Sequence, residues 1–205
     1  MSTEGPEAEE VAKKLKQRAR TYRSSSADFR ATFDRSAPYS KHQLRKIVQR
    51  NSLAATHPYD ERLGGLRAAL GAIQDRPQSF DDVKSQLKVI IDELDKAFFF
   101  NLLRGDGERN HRYHLVRLSV EGPRPGSERR GAFRQEDSTI RLYIAEEQPS
   151  VGKYIGTLAH EMAHAYLFIF AHDYARSHTP DASSSGAHSL DWCRLYLFIM
   201  DRLLV

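Results

Sequence analysis

The sequence of 205 residues has a single cysteine, Cys193, so no intrachain disulfide can form. This cysteine content is typical of proteins in reducing compartments, and we therefore expect a cytoplasmic or nuclear protein. Long apolar runs are also lacking: the longest, residues 165–171, has seven residues, whereas a membrane-spanning helix needs about 20. The first ten residues contain neither a basic nor an apolar stretch, which argues against a secretory signal. We expect no membrane partner.

The length excludes a long multidomain architecture and suits one ordinary domain with a tail. Of the net charge of +4, the excess lies near the N-terminus, because residues 1–60 hold 12 Lys or Arg against 7 Asp or Glu. The densest basic stretches, residues 13–23 and 41–50, have weak apolar periodicity. We predict a disordered or loosely helical basic arm over residues 1–55 and a folded domain over residues 56–205. The arm is a candidate DNA contact, since clustered Lys and Arg neutralise phosphate charge; a solvated tail is the alternative.

Three helices are predicted in the folded part. Ser79 followed by Asp82 has the pattern of a helix cap, and apolar residues then recur at helical spacing over residues 83–102. A second helix is predicted over residues 154–174. The third, over residues 189–204, is apolar nearly all round, which favours a buried helix.

Strands are predicted between the first two helices. Apolar and polar residues alternate over residues 116–120 and 140–144, which indicates two strands with one buried face, and residues 132–134 add a short third strand. Residues 175–187, rich in Ser, Pro and Gly, predict a loop before the last helix. The order of elements predicts an α+β fold with a small antiparallel sheet.

The residues that carry chemistry are His160, Glu161 and His164, which form the pattern HExxH. Residues four apart on a helix lie on the same face, so both imidazoles can reach one cation. Zinc is the expected ion, because imidazole suits it and a catalytic site needs three protein ligands and an open position. The carboxylate of Glu161 is adjacent, where it can take a proton from a water molecule.

The third metal ligand must come from a residue outside the HExxH pattern. No glutamate follows Glu161 in the sequence, which excludes a downstream Glu ligand. His172 would lie about 12 Å beyond the histidine pair if the helix continues. His188, at the start of the last predicted helix, can fold back onto the pair and is the preferred ligand. Asp181 and Asp191 remain alternatives, because a carboxylate can complete such a site.

Two segments carry a family resemblance. Residues 157–165, TLAHEMAHA, closely resemble the TLxHEMxHA signature of SprT-like metalloproteases, and residues 186–192, GAHSLDW, resemble their GxHGxxF segment. The resemblance covers roughly residues 80–200. Ser189 and Trp192 stand where the family has glycine and phenylalanine, and the cysteine zinc ribbon that often follows the family's protease domain has no counterpart in this sequence.

The resemblance implies a zincin-like protease domain in which the small sheet packs on the HExxH helix. It implies a zinc-dependent endopeptidase of the type represented by the Spartan protease, which degrades proteins crosslinked to DNA. His160, His164 and His188 would hold Zn²⁺, and Glu161 would act as general base on a protein or peptide substrate. The strand over residues 140–144 is expected to form the cleft edge, where an extended peptide can add as a further strand.

Two other hypotheses remain open. One is a non-catalytic binding module in which zinc ties two helices together. The other is an aspzincin-like protease whose third ligand is an Asp. Tyr174 is interpreted as a packing residue more than a catalytic one, and Trp192 as part of the core.

Overall fold

A computed structural model describes residues 33–53, 63–73, 79–104, 115–123, 126, 128–145, 149–174 and 188–203. These residues form a mixed α+β structure with five helices and one three-stranded sheet, which confirms the α+β prediction. The elements in chain order are α1 (Lys41–Asn51), α2 (Gly64–Gly71), α3 (Phe80–Phe98), β1 (Arg117–Glu121), β2 (Gly131–Arg134), β3 (Thr139–Tyr143), α4 (Gly152–Phe170) and α5 (Leu190–Leu203). No helix in these ranges has the length and apolar character needed to cross a bilayer.

The sheet is mixed, so the prediction of an antiparallel sheet is wrong in part. Its strand order is β1-β3-β2, with β1 parallel and β2 antiparallel to β3. The chain reverses direction between β1 and β2 and again between β2 and β3. Strand β2 therefore runs opposite to the other two and lies at the edge of the sheet. Alternating polarity identifies strands and their faces but carries no information on their direction.

The central strand is β3, which is bonded on both sides. Its residues, predicted to form the edge of a cleft, therefore have no edge left for a further strand. Both β2 and β3 contact α4, and β2 is the edge strand of that pair. The cleft edge is thus corrected from residues 140–144 to β2.

Helix α3 begins as the sequence predicts. The Ser79 side chain accepts a hydrogen bond from the Asp82 N–H (3.2 Å), which confirms the cap. The stripe of buried residues on this helix is Val83, Leu87, Ile90, Ile91, Leu94, Ala97 and Phe98. The helix ends at Phe98 rather than near residue 102, because Phe100 and Asn101 have φ of 60° and 56°.

The turn after α3 is organised by Asp95, whose carboxylate is fully buried. Its two oxygens accept hydrogen bonds from the backbone N–H groups of Leu103 (3.2 Å) and Arg104 (2.6 Å). Burial raises the pKa of Asp95 to about 7, and the two backbone hydrogen bonds act in the opposite direction. Asp95 thus joins the end of α3 to the chain that leads towards the sheet.

Helix α1 corrects the prediction of a loose arm over residues 1–55. Ser40 and Gln43 form a capping box at its start, and Leu44, Ile47 and Val48 are buried. The helix contacts α5 and α4. The apolar residues, at spacing i, i+3 and i+4, form a narrow stripe among basic residues, and that stripe is enough to pack one face. Residues 1–32 and 54–55 of the predicted arm lie outside the described residues.

The other helix bounds differ little from prediction. Helix α4 was expected over residues 154–174 and ends earlier, at Phe170, while α5 lies within the predicted residues 189–204. Helix α2 was not predicted, because only Leu66 of its eight residues is buried. The predicted loop over residues 175–187 lies outside the described residues.

Replacing Asp95 by Asn should lower the free energy of unfolding by about 1–3 kcal/mol, because the amide nitrogen cannot accept the second backbone N–H bond. Asp92→Asn is the control: this carboxylate is 55% exposed in an ion pair with Arg104, and its loss should cost less than about 1 kcal/mol. Urea denaturation measures both. Equal effects of the two variants would contradict the role of Asp95.

The same pair of proteins should reveal the titration of Asp95. A raised pKa in the folded state stabilises the fold at low pH, and this contribution is lost as pH rises through about 7. The wild type's stability relative to Asp95→Asn should therefore decline between about pH 4 and about pH 7, from the ordinary to the raised pKa of this carboxyl group. If the difference in free energy of unfolding between the two proteins stays constant over that interval, the raised pKa of Asp95 is contradicted.

Candidate metal centre

The first two imidazoles of the site project from one face of α4. The ring centroids of His160 and His164 are 4.9 Å apart, as four-residue spacing on a helix requires. His188 lies just before α5, and its ring centroid is 5.0 Å from that of His160 and 5.1 Å from that of His164. One nitrogen of each ring lies within 4.8 Å of the other two. The three histidines singled out by the sequence are therefore close enough to hold one metal ion.

The donor set suits a transition metal. Imidazole nitrogen binds Zn, Cu, Fe and Ni, and the binding form is the neutral ring. Burial lowers the pKa of His160 to about 4, and the charge of His188 acts in the same direction. At neutral pH the His160 ring is thus already in the form that binds a cation.

Trp192 packs against all three imidazoles. Its ring centroid lies 4.0 Å from that of His188, 4.6 Å from His160 and 4.8 Å from His164. The indole is buried, as its interpretation as a core residue implies. It is also part of the wall of the site, and Tyr196, one turn further along α5, stacks on it at 5.2 Å.

The carboxylate of Glu161 lies beside the imidazoles. Its Oε1 is 4.0 Å from His160 Nε2, and its Oε2 accepts a hydrogen bond from the Phe133 N–H of β2 (2.7 Å). Burial raises the pKa of Glu161 to about 7, while the Phe133 hydrogen bond and the charge of Arg129 act to lower it. A carboxyl group that titrates near neutrality is suited to acid–base chemistry.

An open cleft of about 260 Å³ adjoins these groups. It is lined by Arg129, Arg130, Gly131, Gly156, Thr157, His160, Glu161 and Tyr196. The cleft thus brings together the start of β2, the face of α4 that bears His160 and Glu161, and one residue of α5.

The outer edge of β2 faces this cleft. In an antiparallel pair, residues alternate between those bonded to the partner strand and those directed away from it. The Arg130 carbonyl accepts a hydrogen bond from the Tyr143 N–H (2.9 Å), so the alternation directs the backbone groups of Gly131 and Phe133 away from β3. The hydrogen bond from Phe133 to Glu161 agrees with that direction.

Gly131 allows β2 to approach α4 closely. A Cβ atom at this position would lie 2.5 Å from Thr157 Cγ2 and 3.2 Å from Leu142 Cδ2. Thr157 is β-branched and stiff at χ1, so its methyl group cannot easily move aside. The absence of a side chain at Gly131 is therefore part of what brings the Phe133 N–H within reach of Glu161.

Tyr174 is buried in the core, which agrees with its interpretation as a packing residue, and its hydroxyl group also contacts the candidate site. Its hydroxyl lies 2.5 Å from His164 Nδ1, and the side chain is buried. Burial, and secondarily the charge of Glu161, raise the pKa of the Tyr174 hydroxyl above its usual range, so it stays protonated. A partner on Nδ1 fixes the ring and leaves Nε2 for a metal. No sequence signal indicates this contact, because Tyr174 follows the end of α4 and is outside helical spacing.

Asp191, one of the alternative ligands, is engaged elsewhere. Its Oδ1 accepts a hydrogen bond from Arg45 Nε (2.8 Å) and lies 3.3 Å from His42 Nδ1. Among the described residues, the cluster able to hold a metal consists of the three histidines alone. Asp181, the other alternative, lies outside the described residues. His172 Nδ1 lies 2.8 Å from the Tyr39 carbonyl oxygen, away from that cluster.

Ser189 has a structural role where the SprT-like pattern has glycine. Its Oγ accepts a hydrogen bond from the Trp192 N–H (3.3 Å), the arrangement of a helix N-cap. The cap fixes the first turn of α5 directly after His188. The orientation of Trp192 and the position of His188 are thereby linked through one turn of helix.

Comparison of the chain with protein families, with curated proteins and with solved structures finds no match. The resemblance to SprT-like proteases therefore stays a prediction based on the two sequence motifs.

Metal binding should change the fluorescence of Trp192, the only tryptophan of the chain, since it contacts all three imidazoles. Zn²⁺ added to metal-free protein should saturate this change at one equivalent. His188→Ala should weaken Zn²⁺ binding by more than about 100-fold, because even the loss of an outer partner of a ligand costs 10- to 100-fold. Equilibrium dialysis measures the affinity independently of fluorescence. His172→Ala is the control, and equal affinity of the two variants would refute the three-histidine site.

Gly131→Ala should destabilise the protein by about 1–3 kcal/mol, because the new methyl group collides with Thr157. Thr157→Ser removes the opposing methyl group, so the double variant should recover much of the lost stability. Gly71→Ala is a control with no atom within 4 Å of the added Cβ. Thermal denaturation of the wild type, Gly131→Ala, the double variant and Gly71→Ala measures these effects. If the double variant regains no stability, the collision with Thr157 is not the cause of the destabilisation.

Proposed function

We propose that the protein is a zinc-dependent endopeptidase. The observation that supports this most directly is the position of Glu161, whose carboxylate lies 4.0 Å from His160, one of three clustered imidazoles, at an open cleft. Structural zinc sites are normally closed by four protein ligands, whereas catalytic sites have three and keep one position open. Three histidines, in the part of the chain that the structure describes, correspond to the second kind of site.

His160, His164 and His188 are the residues that would hold the ion. Bound zinc lowers the pKa of water towards ~7 and polarises a carbonyl group. The neutral His160 ring and the Tyr174 hydroxyl next to His164 both favour binding through ring nitrogens. Tyr174 is thus a residue that orients a ligand.

Glu161 is the general base of this mechanism. It accepts a proton from the attacking water as the new C–O bond forms, and it returns that proton to the amine nitrogen as the C–N bond breaks. Proton transfer of this kind by a positioned side chain contributes about 10²- to 10⁴-fold to the rate. The hydrogen bond from the Phe133 N–H holds the carboxylate in place.

The substrate is a protein or peptide bound in extended form along β2. Gly131 lies at the cleft with its backbone groups directed away from β3, where they can pair with an added strand. Recognition through main-chain hydrogen bonds depends little on side chains, so we expect low sequence selectivity. An unstructured protein is the best test substrate, because its chain is free to become extended.

The resemblance to SprT-like proteases suggests DNA-associated proteins as the substrate class and a nuclear or cytoplasmic location. Of the two basic stretches in the predicted arm, residues 41–50 lie entirely in α1, which packs on α4 and α5. Lys41, Lys46 and Arg50 of this helix are not buried, so a DNA contact through the arm would use these side chains or residues 13–23, which lie outside the described residues.

The alternative function is a non-catalytic binding module. His188 precedes α5 while His160 and His164 lie on α4, so a metal would join these two elements even without catalysis. A purely structural site has no need of a carboxylate beside the ligands, and Glu161 therefore favours the peptidase. The aspzincin-like alternative is disfavoured by the engagement of Asp191 with Arg45.

Glu161→Gln should retain zinc and lose casein cleavage by about 10²- to 10⁴-fold. The Gln carbonyl oxygen can still accept the Phe133 N–H bond, so the fold should be preserved. Zinc content and cleavage are measured with and without single-stranded DNA. Glu136→Gln is the control, since that carboxylate is 73% exposed.

Undiminished cleavage by Glu161→Gln would remove this residue from the mechanism. Wild-type protein that binds zinc but cleaves no denatured protein, in either the presence or the absence of DNA, would instead favour the binding module.

A further inference from the structure

The histidine ligands come from two places in the chain, on either side of residues 175–187. His160 and His164 precede that segment and His188 follows it. Such a site requires the two flanks of the segment, the residues before it and those after it, to be held at a fixed distance from each other. In the structure, residues 171–173 on one side and Asp191 on the other contact residues 39–45, which comprise the N-cap region and first turn of α1 and which we name the α1 clamp.

The first flank is bound through the backbone. Tyr39 forms a parallel β-bridge with Ala171, directly after α4, and the Tyr39 carbonyl accepts a hydrogen bond from the His172 N–H (2.9 Å). The Lys41 N–H, at the start of α1, donates to Asp173 Oδ1 (3.0 Å). These contacts hold the residues just before Tyr174, whose hydroxyl contacts His164.

The second flank is bound through Arg45. Its Nε donates to Asp191 Oδ1 (2.8 Å), and its other nitrogens lie 2.6 Å from Gln49 Oε1 and 3.0 Å from His42 Nδ1. The Arg45 side chain is only 9% exposed, and Arg45 is the one buried Lys or Arg of the described residues. A guanidinium group with three partners is held in a single orientation, because its donors form a rigid planar fork.

Asp191 transmits this constraint to the ligand. It lies in the first turn of α5, three residues after His188, and this turn is capped by Ser189. Contacts between α4 and α5 begin at Trp192, in the first turn of α5, which packs against His160 and His164. They continue further along, where Gly156 faces Tyr196 and Met200. The Ser189 cap fixes His188 relative to α5, Trp192 packs the first turn of α5 on α4, and Arg45 anchors the same turn to α1 through Asp191.

We propose that Arg45 is a positioning residue for the third metal ligand: through Asp191 it holds the first turn of α5 so that His188 meets His160 and His164. The inference rests on the proposed metal site, but it does not require peptidase activity. It assigns part of the basic N-terminal sequence a role inside the domain, in completing the metal centre.

The test compares metal binding by the full chain and by Arg45→Met, which keeps most of the side-chain volume and removes the guanidinium group. Affinities for Zn²⁺ and Co²⁺ are measured by equilibrium dialysis, and circular dichroism confirms that each variant is folded. We expect Arg45→Met to bind both ions at least about tenfold more weakly, the scale of effect seen for groups that orient ligands. Arg50→Met, at an exposed position of the same helix, should bind as the wild type does.

The visible spectrum of the Co²⁺ form adds a readout that a merely structural role would not move. It reports coordination geometry, and it should change in Arg45→Met but not in Arg50→Met. Arg45→Lys, which can keep one contact with Asp191, should give an intermediate affinity.

Asp191→Asn provides a second route if Arg45→Met fails to fold. This change removes the ion pair at a side chain that is 24% exposed, and it should also weaken metal binding. If Arg45 acts through Asp191, the double variant should bind no more weakly than the weaker single variant.

Wild-type affinity and an unchanged Co²⁺ spectrum in folded Arg45→Met or Asp191→Asn would overturn the proposal while leaving the peptidase intact. Metal binding by the wild type without cleavage would refute the peptidase but not the role of Arg45. A wild-type protein that binds neither ion would overturn both.

Discussion

The distance between α4 and the start of α5 decides whether the three imidazoles lie close together. The imidazoles of His160 and His164 are fixed relative to each other by one turn of helix. Helical spacing brings these two rings together but does not supply the third. The third imidazole, of His188, is positioned relative to α5 by the Ser189 cap and the contact with Trp192. Tertiary packing brings His188 to the other two rings, because the α1 clamp binds both the residues after α4 and the first turn of α5.

A second constraint acts on the opposite side of the site, between β2 and α4. Gly131 permits the strand to lie against Thr157, and the Phe133 N–H then reaches the Glu161 carboxylate. The same close packing buries that carboxylate and raises its pKa. Position and proton affinity of the proposed base therefore have one common origin, and the outer edge of β2 that provides it also faces the cleft where a peptide would lie.

The sequence predicted features that depend on neighbours along the chain. The cap at Ser79, the strands around Val120 and Ile140, and the helix bearing His160 and His164 all follow from residues a few positions apart. Prediction failed where the outcome depends on distant partners: β1 is parallel to β3 although both alternate in the same way. The prediction of a loose arm is wrong at α1, because its three buried apolar residues are few among basic ones and pack on α4 and α5, over a hundred positions away.

The sequence by itself determined the residue types of the candidate metal site and the closeness of His160 and His164, because residues four apart on a helix lie on the same face. It also restricted the third ligand to a few candidates, with His188 preferred. Only the tertiary structure decided that His188 joins the pair, that Asp191 is taken by Arg45, and that Tyr174 contacts His164. These outcomes depend on how helices and strands from separate parts of the chain pack together, and no local pattern encodes that packing.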